Sequence, residues 1–118
     1  MTDVIQVTAT TGNREEAQRI AAEMVDNRLA ACVQISGPIT SYYRWEDKLE
    51  TSQEWLLTIK TTSDRFDRVD ETIRKIHLYD VPEILATPVI TGSEKYLNWV
   101  REEVSEASGN AESNQEKG

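Results

Sequence analysis

The sequence predicts a single α+β domain, and three observations carry that prediction. From Ala30 to Thr61 apolar and polar residues alternate with the two-residue period of a long β-hairpin. Stretches with helical spacing flank the hairpin, Ala17, Ile20, Ala21 and Met24 before it and Phe66, Val69, Ile73 and Ile76 after it. Short strand-like runs stand outside those, Val4 to Thr10 and Ile84 to Thr91. The order β, α, β, β, α, β is that of a ferredoxin-like split βαβ sandwich with a long central β-hairpin, to which an extra C-terminal helix is added.

In chain order, Ile5, Val7 and Ala9 share one face of the first strand, and Thr11-Gly12-Asn13 ends it. Asn13 with Glu16 three residues later has the spacing of a capping box, opening a helix that ends near Asn27. The hairpin arms are Ala30 to Trp45 and Leu49 to Thr61, joined at Glu46, Asp47 and Lys48, with an interruption at Gly37-Pro38. Thr62 or Ser63 caps the second helix, which must stop near His77 because Pro82 follows. Pro88 lacks a backbone N–H, which puts the last strand at a sheet edge or a bulge. Gly92-Ser93 opens the extra helix, with Tyr96, Leu97, Val100 and Val104 expected inward. The domain thus covers residues 1–104, and the polar run 105–118 is expected to be a disordered tail.

The hairpin's length bears on function. At about 3.3 Å per residue each arm reaches roughly 45–50 Å, whereas a compact domain of this size is only about 35 Å across. The hairpin must overhang its own globule unless the Gly37-Pro38 bulge folds it back. Right-handed crossovers place both main helices on one face of the sheet and leave the other bare. An exposed strand edge carrying Tyr42, Tyr43, Trp45 and Trp55, together with a bare sheet face, is expected to be covered by another copy of the chain.

Composition narrows the classes further. The 118 residues suffice for one core, and 21 acidic against 13 basic side chains give a net charge of -8. That balance opposes nucleic-acid and anionic-membrane surfaces, so no nucleic acid and no membrane is expected as a partner. The single Cys32 cannot form an internal disulfide and no apolar run is long enough for a leader or a span, which together suggest a cytoplasmic setting.

Few residues offer chemistry. Cys32 lies within a strand, where a thiol is mostly inert filler. His77, the only histidine, stands at a helix C-terminus, where the helix dipole favours it, yet it shares a loop with Tyr79, Asp80 and Glu83. An imidazole beside carboxylates suits Zn(II) or Cu(II), so His77 and Glu83 are the candidate metal ligands. Two ligands on one loop make a weak site, and no cofactor is required.

The run Tyr43-Arg44-Trp45-Glu46-Asp47-Lys48 resembles a Y-x-W-x-G-K turn, Lys60-Thr61 a strand end, and His77 to Glu83 an H-P-Y-x-x-P-E loop of the CutA family, the divalent-cation tolerance proteins. Leu29-Ala30-Ala31-Cys32 and Tyr96-Leu97-x-Trp99 fit as well, so the resemblance covers about residues 4–101. It implies a ferredoxin-like fold assembled as a homotrimer, akin to PII-type signalling proteins, with a link to copper and other divalent metals and no enzymatic activity. Asp47 stands where the family has glycine, and Leu78 where it has proline. The ligand positions of the copper site proposed for some bacterial members correspond to Ala9, Ile76 and His77, of which only the last is a ligand type. The expected function is therefore a non-enzymatic trimer associated with divalent-cation tolerance. The alternative is a PII-like adaptor that holds a small molecule in an inter-subunit cleft near Trp45, Lys60 and Tyr79, which combine an aromatic wall, a cation and a hydroxyl.

Overall fold

The computed structural model describes residues 2–105, so the expected tail beyond Ser105 lies outside the described residues. The elements are β1 (Val4–Thr11), α1 (Arg14–Asp26), β2 (Cys32–Trp45), β3 (Lys48–Thr62), α2 (Phe66–Ile76), β4 (Ile84–Pro88) and α3 (Glu94–Glu103). A short 3-10 turn, Ser63–Arg65, leads into α2. Four strands form one antiparallel sheet in the order β2-β3-β1-β4, as a split βαβ arrangement requires.

Alternation along β1 divides the packing. Ile5, Val7 and Ala9 pack with Leu57 and Ile59 of β3 against Ala17, Ile20 and Met24 of α1 and Val69 and Ile73 of α2. Val4 points the other way and packs with Leu97 and Val100 of α3. The second sheet face is thus not wholly bare: α3 covers the end where β1 begins. Tyr96 does not point inward as expected; it is 41% exposed and lies against the Trp99 ring at 5.5 Å. Leu97, Val100 and Val104 already fill the buried stripe, and Tyr96 falls one position off it.

The helix ends follow from local chemistry. Asn13 Oδ1 accepts from the Glu16 N–H at 2.7 Å, capping α1. Arg28 takes φ 57° beyond the other end, and the Leu29 N–H reaches back to the Met24 carbonyl at 2.9 Å. β4 stops at Pro88, short of the expected Thr91, on the sheet edge where a residue without an N–H is tolerated.

The hairpin is as long as predicted. β2 and β3 run 14 and 15 residues, and the molecule measures 51 × 31 × 22 Å with a radius of gyration of 15.6 Å. A compact chain of about 100 residues would have a radius near 13 Å. Glu46 and Asp47 form a two-residue turn with φ 51° and 64°, the paired left-handed conformation whose twist matches the strands, and Lys48 pairs with Trp45 at the tip. At Gly37-Pro38 the register shifts so that Ser36 pairs with Leu56 but Ile39 with Glu54. The arm does not fold back; the bulge instead rotates it. Val33 and Ile35 face α1 and α2, whereas Ile39, Ser41 and Tyr43 share the opposite face with Glu54, Ser52 and Glu50.

Candidate functional site

That rotation builds a cavity. Ser41, Tyr43 and Trp45 from β2, Ser52 and Glu54 from β3, and Thr10 from β1 meet the loop Tyr79-Asp80-Val81-Pro82-Glu83 around a space of about 790 Å³. It lies on the sheet face opposite α1 and α2, at the far end from α3. Its size falls within the roughly 300–1,000 Å³ range of small-molecule sites.

Two buried side chains fix the loop. His77 is 8% exposed, and its Nε2 lies 2.5 Å from the Thr10 carbonyl oxygen. A carbonyl only accepts, so Nε2 carries the proton. Nδ1 then holds the lone pair and accepts from the Tyr79 N–H at 3.1 Å. Glu16 is also buried; its Oε2 accepts from the Leu78 N–H at 2.9 Å, so the side chain expected to complete a capping box braces this loop. The Tyr79 ring sits edge-on to His77 at 4.6 Å. Its hydroxyl passes Gly12 so closely that a Cβ there would lie 2.8 Å from the oxygen.

The cavity is acidic. Glu54 is 7% exposed, and its Oε1 accepts from the Ser41 hydroxyl at 2.6 Å. Burial first, then the neighbouring Glu54 charge, raises the Tyr79 hydroxyl above the usual phenol pKa. Asp80 and Glu83 add two further carboxylates, and no lysine, arginine or histidine is among the lining residues.

The residues singled out from sequence fall into two groups. Trp45, Tyr79 and Glu83 line the cavity together. His77 lies behind the loop with both ring nitrogens engaged, so the structure does not present it beside Glu83 as a free ligand. Lys60 is also elsewhere: it pairs with Gln6 and Cys32 in the sheet, and its Nζ donates to Gln34 Oε1 at 2.5 Å. Glu54 lies six positions away along β3, about 20 Å. Among the described residues no three His, Cys, Asp or Glu side chains come together as a metal cluster, and Cys32 is a free, half-buried thiol. Sequence reasoning missed Glu54 and Glu16, whose roles depend on the bulge and on a contact 62 residues apart.

A ferredoxin-like sheet with an overlong hairpin and a carboxylate-lined cavity under its α2–β4 loop defines the class to which this protein belongs. Residues 5–103 match the family model of the CutA1 divalent ion tolerance protein, and the chain belongs to that family. The divalent-cation tolerance protein CutA of Thermus thermophilus is 42% identical over 102 residues, covering 86% of this chain and 97% of that protein. A chloroplastic CutA 1 of Oryza sativa is 41% identical over 103 residues; the alignment covers 87% of this chain and only 58% of that longer protein. Among solved structures, CutA of Xylella fastidiosa superposes with a TM-score of 0.86 at 35% identity, covering 88% of this chain and all of that one.

Proposed function

We propose that the protein acts as a non-enzymatic homotrimer associated with tolerance of divalent cations, copper among them, in a reducing compartment such as the cytoplasm. The observation that carries the reading is the overhanging hairpin beside an acidic cavity. β2 is an edge strand, and Tyr42 and Leu49, each 73% exposed, stand on the projecting arms. A bare edge of this length is a template for strand or side-chain contacts from neighbouring copies.

The side chains do not fit a tightly held resident metal. Both nitrogens of His77 are occupied, and no cluster of three ligand types forms among the described residues. Glu83, Asp80 and Glu54 instead suit weak, exchangeable contact with Cu(II) or Zn(II). A PII-like adaptor holding a nucleotide or organic anion is not favoured, because the lining offers such a ligand no counter-charge.

Two measurements test the proposal. Sedimentation equilibrium at micromolar concentration is expected to return three times the chain mass, and a monomer would refute the assembly. Calorimetric titration with Zn(II) is expected to give a weak saturable isotherm that Glu83→Gln reduces. An isotherm unchanged by Glu83→Gln would place the cation elsewhere.

A further inference from the structure

The outer half of β3 carries opposite charges at its two ends. Lys48, Glu50, Ser52 and Glu54 stand at two-residue spacing, and Lys48 pairs with Trp45 at the hairpin tip. Side chains so spaced project from one face of a strand, so Lys48 and the cavity's Glu54 share a face. Lys48 is exposed, is not among the lining residues and, among the described residues, forms no ion pair within its own chain.

Glu54 lies at the other end and is buried, with Asp80 and Glu83 lining the same cavity. The Ser41 and Tyr79 hydroxyls both bond its carboxylate. Hydroxyls are neutral donors: they solvate the charge without cancelling it, and the lining holds no cation that would.

Within one chain the two ends cannot meet. Lys48 and Glu54 are six positions apart along β3, about 20 Å, which is farther than a lysine side chain reaches. Between chains they can. The hairpin stretches the molecule to 51 Å, and the cavity opens on the sheet face that a neighbouring copy covers in the proposed trimer. Tip and cavity are different patches of one surface, so a contact between them is head-to-tail. Repeated with a rotation of one third of a turn, such a contact closes a ring of three, whereas a two-fold pair would join like patches.

We propose that in the trimer Lys48 of each copy enters the acidic cavity of the next. Its ammonium is held by Glu54, Asp80 and Glu83, and its methylene stem lies against the Tyr43 and Tyr79 rings. The inference rests on the homotrimer of the proposed function and goes beyond it by naming the contact that completes the cavity. A divalent ion then competes with the ammonium for the same three carboxylates, in keeping with weak, exchangeable metal contact.

Subunit exchange of the full chain tests this. Unlabelled and 15N-labelled trimers are mixed, and native mass spectrometry times the formation of mixed trimers. Lys48→Glu places a carboxylate against carboxylates and is expected to exchange at least about tenfold faster than the parent, or to leave single chains only. Lys48→Glu combined with Glu83→Lys restores opposite charges and is expected to return to within about threefold of the parental rate. Both residues are exposed, so the fold is expected to survive either change. A parental exchange rate in Lys48→Glu would overturn the proposal, as would a double variant no slower than Lys48→Glu. A parent that is itself a monomer sinks the assembly reading, whereas a trimeric parent indifferent to Lys48→Glu sinks this inference alone.

Discussion

His77→Ala separates a brace from a metal ligand. The imidazole donates to the Thr10 carbonyl and accepts from the Tyr79 N–H, and its ring packs edge-on against Tyr79. Each hydrogen bond contributes about 1 kcal/mol net, and a buried partner left without one costs about 1–3 kcal/mol where water cannot reach it. The ring contact adds about 0.5–1.5 kcal/mol. Since His77 is 8% exposed, most of this is felt, and a loss of about 3 kcal/mol is expected. Urea unfolding at one fixed protein concentration measures it, the concentration being held because association couples to folding. Zinc titration of the same variant is expected to give the parental isotherm. A stability loss below about 1 kcal/mol, or an abolished zinc isotherm in a fully folded variant, would refute the assignment of His77 as a brace.

Three further outcomes follow from the geometry. Gly37→Ala is expected to destabilise by about 1–3 kcal/mol in chemical unfolding, because φ there is +154° and a Cβ would lie 2.8 Å from Trp55 Cδ1 and 3.0 Å from the Glu54 carbonyl oxygen. Asp47→Gly is expected to stabilise by up to about 1 kcal/mol in the same assay, since Asp47 holds φ 64° at a cost glycine does not have. Tyr79 has a folded-state pKa raised by burial and by Glu54, so its contribution to stability is fully present below the unfolded phenol value near pH 10 and is lost as pH climbs through the higher folded value. Tyr79→Phe should therefore flatten the alkaline end of the stability profile, and an unchanged slope above about pH 10 would contradict it.

The cavity also shows how a one-residue irregularity sets which side chains line it. Without the register shift between Ser36 and Ile39, the alternation begun at Val33 and Ile35 would carry Ile39, Ser41 and Tyr43 onto the helix-covered face. The shift turns Ser41 and Tyr43 toward Glu54 instead. Gly37 permits it, both through its backbone angle and through the space that Trp55 leaves only for a hydrogen.

What the sequence determined by itself was periodic. The two-residue alternation, the helical stripes and the turn at Glu46-Asp47 are local signals, so they specified the strands, α1, α2 and the reach of the hairpin, and the quoted motifs specified the family. Tertiary structure decided what local pattern does not encode. Glu16 partners Asn13 through its N–H as its spacing suggests, but its carboxylate holds Leu78, and His77, a candidate ligand from its loop, has its two ring nitrogens on backbone groups. Lys60 and Trp45 lie on the same hairpin, yet only Trp45 reaches the cavity, because one bulge rotates the outer arm and about 20 Å of strand lies between Lys60 and Glu54. Such assignments depend on contacts between residues tens of positions apart, and only the packed chain brings those groups within hydrogen-bond distance.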